Sequence, residues 1–116
     1  MVIMARGEEI YLTASWYSVE SLHKDGQWKI TKGVMANGNR FSDINYTCAT
    51  WLYPLGTILR VDNRSNGKSI LVVVTDRINR RFAKTRIDLS PIAFKTLAGR
   101  KGLAKGLIKV LVERIK

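Results

Sequence analysis

The segment running from Asn66-Gly67 through Ser69-Ile70-Leu71-Val72-Val73-Val74 to Thr75-Asp76-Arg77 constrains the fold of this chain more than any other. Ser69 to Val74 is β-branched and apolar, the composition of a core strand. Arg64-Ser65-Asn66-Gly67-Lys68 before it is a hairpin turn, since Asn-Gly accepts positive φ. Thr57-Ile58-Leu59-Arg60-Val61-Asp62 alternates and supplies the other arm. The returning arm ends in a carboxylate, Asp76. A carboxyl at the exit of a buried strand borders low-dielectric surroundings, which favour the neutral form that a general acid needs. The plainer reading is that Asp76 accepts hydrogen bonds in a turn or pairs with Arg77.

The rest of the chain supports a small, mostly β domain. Ile10 to Tyr17 reads as a strand. Glu20 to about Gly33 reads as a polar loop with a turn at Asp25-Gly26, and Asn37-Gly38-Asn39 as a second turn. Thr47-Cys48-Ala49-Thr50-Trp51 is a short helix or an irregular segment before Pro54. A helix starts at Ser90, a good N-cap followed by Pro91, with Ile92, Ala93, Leu97 and Ala98 mostly on one face and Gly99 as its end. Gly102 and Gly106 loosen the next stretch, and Leu107 to Val112 is a last strand. Short strands, Gly-rich turns and a compact helix predict a small β-barrel.

Composition narrows the function classes. The chain has 116 residues, one domain's worth, and 46% are hydrophobic, so disorder is not expected. Lys and Arg number 20 against 9 Asp and Glu, for a net charge of +11, which attracts polyanions: nucleic acid, anionic lipid or anionic wall polymer. The single cysteine, Cys48, forms no internal disulfide and reads as a small core residue. With His23 the only histidine, a zinc site has no support, and no cofactor is expected. No stretch approaches the roughly 18 apolar residues of a membrane span. The N-terminus, Met1 to Glu9, lacks the apolar core of a signal peptide.

Seven strings carry a family resemblance in order: Ala14-Ser15-Trp16-Tyr17, Met35-Ala36-Asn37-Gly38, Pro54-Leu55-Gly56-Thr57, Arg60-Val61, Asn66-Gly67-Lys68-Ser69, Val74-Thr75-Asp76-Arg77 and Ile87-Asp88-Leu89-Ser90. The chain resembles the rare lipoprotein A group, and more distantly expansins and barwin, from about residue 12 to its end. The resemblance implies a six-stranded double-psi β-barrel with one or two short helices and a groove over one face. It makes residues 1–11 an N-terminal extension and 12–116 a single barrel domain. It implies a lytic transglycosylase acting on peptidoglycan glycan strands, with Asp76 as the essential aspartate and the chain a monomer. The expected location is the cell envelope or outside the cell, and the missing leader fits a phage or prophage product or a trimmed chain.

The chain departs from the family pattern. Ile78-Asn79 replaces Gly-Pro after Asp-Arg, Thr50 stands where the family commonly has His, and Asn39 where it often has Glu. Asp76 alone is chemically adequate for this reaction if its pKa is raised and the sugar is held distorted. The nucleophile is the muramic acid's own C6 hydroxyl, so no water needs activation, unlike hydrolysis by paired carboxylates. Thr50, Tyr46 and Asn39 are candidates to replace lost support by hydrogen bonding. Asp43 is a candidate second carboxylate, or a turn or cap residue beside Ser42. Asp88, whose family counterpart lies near the essential aspartate, is read mainly as a hydrogen-bond acceptor at the helix start or a partner of Arg86 or Arg77. Trp16, Tyr17, Trp51 and Tyr53 are candidates to stack on sugar rings; Trp28 has no assignment. Arg77, Arg80, Arg81, Lys84 and Arg86 bracket Asp76. Cations there favour an ionised carboxylate, against burial, and Arg77, Arg81 and Arg86 are candidates to bind substrate carboxylates.

Three function classes compete. The first is the lytic transglycosylase. The second is a non-catalytic, expansin-like module that binds peptidoglycan or another polysaccharide, which the missing His, Glu and Gly-Pro favour. The third, a nucleic-acid binder, has the charge but no recognised motif, so nucleic acid is the disfavoured partner.

Overall fold

The computed structural model describes residues 8–116. Six strands, β1 (Glu9–Trp16), β2 (Thr47–Ala49), β3 (Ile58–Asn63), β4 (Lys68–Asp76), β5 (Arg86–Leu89) and β6 (Ile108–Arg114), close a barrel in the order β1-β5-β2-β4-β3-β6. β1 runs parallel to β5 and β2 parallel to β4, and the other neighbours are antiparallel. Strand β1 starts at Glu9, so residues 9–11 of the expected extension belong to the barrel; residues 1–7 lie outside the described residues.

The β3–β4 hairpin forms as the alternation and the Asn-Gly turn require, with Ile58 opposite Val73 and Asn63 opposite Lys68. Ile70, Val72 and Val74 face the core, while Leu71 and Val73 face outward, 55% and 37% exposed. The apolar run is therefore buried on one face only, because the outer wall of a closed barrel meets solvent wherever no helix covers it. Leu59, Val61, Ile87, Leu89, Val110 and Val112 complete the interior.

Among the described residues there are three α-helices, one more than the upper expectation, α1 (Val19–Lys24), α2 (Gln27–Thr31) and α3 (Pro91–Lys105), and a 3-10 turn at Arg80–Phe82. The first two occupy the segment expected to be a polar loop. Ser18 caps α1 in a reciprocal box with Ser21, a pattern less conspicuous than the usual Ser–Glu version. α3 starts as expected, with Ser90 accepting from the Ala93 N–H and Pro91 in the first turn. Its Ala93, Phe94 and Leu97 are fully buried, and it packs against β4, β1, β3 and β6. It does not stop at Gly99. That residue adopts φ 69°, ψ −174°, and the helix resumes beyond it and ends before Gly106. Thr47–Ala49, expected as helix or irregular, is a fully buried strand because it fills the gap between β4 and β5. Among the described residues no helix is long and apolar enough to cross a membrane.

Candidate active site

Three neighbouring strands, β5, β2 and β4, build the site. Ala49 on β2 stands opposite Asp76 on β4 and also opposite Asp88 on β5. Adjacent strands lie about 4.8 Å apart, so the two carboxylates flank one alanine across two strand spacings. The β2–β4 register shifts between Cys48, opposite Val74, and Ala49, opposite Asp76. The extra residue, Thr75, turns the end of β4 and aims Asp76 outward, the usual effect of a bulge. Both carboxylates line a groove of about 640 Å³ walled by Met35, Phe41, Trp51 and Ile78.

Asp76 is held as an acceptor. Its Oδ1 accepts from the backbone N–H of Ala36 at 3.0 Å and of Arg77 at 2.9 Å, and its Oδ2 accepts from the Tyr17 hydroxyl at 3.3 Å. The Asn37 N–H donates to the Thr75 carbonyl, which ties the Met35–Gly38 turn to the end of β4. Tyr17 is itself fixed, stacked on Phe41 at 4.3 Å. Burial, and then the negative charges of Asp76 and Asp88, push its phenol far above the ordinary range, so it stays a donor.

Asp88 sits in a different environment. Burial pushes its carboxyl up to about 6 and the nearby Asp76 adds to this, while the Ser15 hydroxyl, donating at 2.9 Å, and Arg86 pull the other way. The Asp88 proton is therefore exchangeable near neutral pH, as a general acid requires. Asp88 is on strand β5, not at the helix start; the outward Arg86 and Asp88 and inward Ile87 and Leu89 were the period-two signal for that strand.

The other predicted residues divide. Trp51 is in the groove, its Nε1–H donating to the Ile78 carbonyl at 2.6 Å, with the Arg77 and Arg80 guanidiniums 5.2 and 4.6 Å from its ring centre. Arg77 also lines the groove, but its Nη1 donates to the Thr50 and Tyr53 carbonyls at 2.7 Å each, so it braces the 50–53 loop. Tyr53 is half-buried against the core and does not line the groove, nor does Thr50, which is fully buried with its hydroxyl accepting from the Leu52 N–H. Asn39 is exposed in the neighbouring turn, where its N–H donates to the Asn37 side chain. Asp43 accepts from the Val19 N–H at the start of α1, and with Trp16 it lines a separate hollow of about 230 Å³. Arg81 and Arg86 lie over the Phe82 ring at 5.0 and 4.0 Å. Tyr46 shares a hydrogen bond with Thr96 on α3. His23 stacks on Trp28, and burial pushes the enclosed Cys48 thiol well up, which makes it a poor nucleophile. Ala36, Ala49 and Phe41 were missed as builders of the site; the Met35–Gly38 string was the signal for the first.

The sequence model described as "Lytic transglycolase" matches residues 10–112. The chain belongs to the lytic transglycolase family. It is similar to the endolytic peptidoglycan transglycosylase RlpA of Rickettsia felis, 38% identical over 102 residues, which are 86% of this chain and 40% of that protein. It is also similar to RlpA of Pseudomonas aeruginosa, 36% identical over 112 residues, which are 96% of this chain and 29% of that protein. The chain thus spans well under half of either RlpA. An uncharacterized Synechocystis protein is 40% identical over 70% of this chain and 81% of its own length. Among solved structures, the Streptomyces papain inhibitor aligns with a TM-score of 0.69 at 22% identity, covering 96% of this chain and 97% of that one. A Clavibacter michiganensis expansin mutant in complex with cellohexaose aligns at 0.63 and 18%, covering 94% and 51%. These likenesses establish the fold, an RlpA-like double-psi β-barrel, as the sequence predicts.

Proposed function

We propose that the protein cleaves peptidoglycan glycan strands as a lytic transglycosylase in the cell envelope, with the Asp76–Asp88 pair as its acid and base. The observation that carries this reading is the flanking of Ala49 by two groove carboxylates in unlike settings, Asp76 accepting from three donors and Asp88 pushed up to about 6 by burial. Asp88 protonates the glycosidic oxygen as its bond to C1 of the muramic acid breaks. The C6 hydroxyl oxygen of the same sugar bonds to C1, and Asp76 takes the proton it loses. The products are a 1,6-anhydro end and a free 4-hydroxyl, with no water consumed, and proton exchange with solvent resets the pair. This revises the single-aspartate scheme: Asp76 keeps a central role, and Asp88 supplies the acid that Asp76, with both oxygens already accepting, is less suited to supply. Trp51 and Tyr17 offer faces for the sugars.

The second reading, a binding module without catalysis, is favoured by one observation. Thr50, at the position of the family's common His, is fully buried with its hydroxyl engaged by Leu52, so nothing replaces that His in the groove. Loss of one supporting group typically costs about 10² to 10³ in rate. Mass spectrometry of peptidoglycan digests separates the readings: the enzyme yields 1,6-anhydromuramyl ends, and the module sediments with peptidoglycan and yields none.

A further inference from the structure

The α1–α2 hairpin forms one wall of the carboxylate groove, to which it contributes Ser21, Leu22, Asp25, Gln27 and Thr31. The segment is tied at both ends to the same carboxylate. Just before it the Tyr17 hydroxyl donates to Asp76 Oδ2, and just after it the Ala36 N–H donates to Oδ1. Between those ends the hairpin is fixed. The Val19 N–H donates to Asp43 at 2.9 Å, and the Trp28 ring stacks on His23 at 4.3 Å. Gly33 lies so close to the same ring that a Cβ there would fall 2.4 Å from it. Trp28, without an assignment from sequence, thus locks the two short helices together.

The polar side chains of the groove differ in what they have left to offer. Ser21 exchanges hydrogen bonds with the Ser18 backbone, and the Thr31 hydroxyl donates to the Gln27 carbonyl and accepts from the Gly33 N–H. Trp51, Arg77 and Asn79 are each bonded to a backbone group. Among the described residues lining the groove, Asp25 and Gln27 are the only polar side chains that make no hydrogen bond to the protein. Both are exposed, so they meet what lies in the groove. The Gln27 amide carries a donor and an acceptor side by side, and Asp25 is an acceptor. An acetamido group presents one N–H and one C=O, which an amide and a carboxylate satisfy together, and Leu22 on the same wall offers apolar surface for its methyl. A plain hydroxyl at that position cannot engage all three.

We propose that Asp25 and Gln27 read the C2 acetamido group of a groove-bound sugar, which makes the α1–α2 hairpin the element that selects N-acetylated glycan over plain glucan. The inference rests on the wall-active reading, which supplies the sugar. The test is a binding titration, followed by calorimetry, with stem-free glycan and with two probes of equal length, the hexamer of N-acetylglucosamine and cellohexaose. Wild type is compared with Gln27→Ala, Asp25→Ala and Lys29→Ala, the last an exposed hairpin residue outside the groove. Wild type is expected to bind the N-acetylated hexamer about tenfold more tightly than cellohexaose. Gln27→Ala and Asp25→Ala each remove most of that preference by weakening the N-acetylated hexamer alone, and Lys29→Ala keeps it. In cleavage of stem-free glycan the same two variants raise KM and leave kcat unchanged, because a contact to the wall is made equally in the ground state and the transition state. Both ends of the hairpin touch Asp76, so a fall in kcat with KM held shows the variants acting through that carboxylate and overturns the proposal. Equal wild-type affinity for the two hexamers, an undiminished preference in Gln27→Ala and Asp25→Ala, or an equal loss in Lys29→Ala overturns it as well. Wild type that binds stem-free glycan but neither hexamer overturns the proposal alone, and wild type that binds none of the three overturns the wall-active reading with it.

Discussion

The two ends of β4 perform opposite kinds of work. At Asp76 the side chains are few and fixed: two backbone N–H groups and a stacked tyrosine hold one carboxylate, and a bulge sets its direction. Around Lys68 the charged side chains are many and of one sign; Arg64 is held by the Tyr11 hydroxyl, and the backbone beneath is fixed by Asn63, Asn66 and the bend at Gly99. Proton transfer needs atoms placed to a fraction of an ångström, so it draws on backbone donors. Attraction of a polyanion depends on summed charge and tolerates loose ends. One barrel thus offers a rigid site and a soft one.

Breaking the rigid end has the largest expected effect. Asp76→Asn lowers the rate of 1,6-anhydro product formation about 10³-fold, and Asp88→Asn about 10² to 10³-fold, measured as product release from soluble stem-free glycan. Phe94→Ala opens a hole in the fully buried core under both ends and costs about 3–5 kcal/mol in denaturant unfolding. The pH dependence sharpens the contrast. Because the Asp88 proton is required and its carboxyl is pushed up to about 6, wild-type activity falls as pH rises through that value. Stability follows the same sign: the folded pKa is above the unfolded carboxyl value of about 3.9, so the contribution of neutral Asp88 is full below that value and is lost as pH rises through about 6. Asp88→Asn removes this loss and is about 1–3 kcal/mol more stable than wild type at pH 8 relative to pH 4, read by denaturant melts. Asn63→Ala acts at the soft end: it removes the donor to the Leu97 carbonyl and costs about 1–3 kcal/mol, while the rate per folded molecule on stem-free glycan holds. Tyr17→Phe deletes one of three donors to Asp76, and kcat falls about tenfold.

Much of the barrel was legible because strand and turn signals are local. The β3–β4 hairpin announced itself through alternation and Asn-Gly, and the start of α3 through Ser90-Pro91. Strand β2 was not legible: Thr47-Cys48-Ala49 is a three-residue strand whose conformation is dictated by the neighbours on either side. The same gap hid how Asp88 is placed. The family resemblance put its counterpart near the essential aspartate, but the physical cause, β2 lying between β4 and β5, is encoded by no spacing along the chain. Asp43 looked like a second carboxylate, yet its oxygen is engaged at the start of α1, a helix in a segment whose polar composition reads as a loop. The +11 charge was plain, but the grouping of six of the 20 Lys and Arg side chains around one cleft goes with the bend at Gly99, where an end to the helix was expected.

The most direct test of the central claim is mass spectrometry of stem-free glycan strands incubated with wild type, Asp76→Asn and Asp88→Asn across pH 4 to 8. The account predicts 1,6-anhydromuramyl ends from wild type, declining above about pH 6, and only traces from either variant. Undiminished products from Asp88→Asn would contradict the carboxylate pair, and wild type that binds the strands without cutting them would contradict catalysis itself.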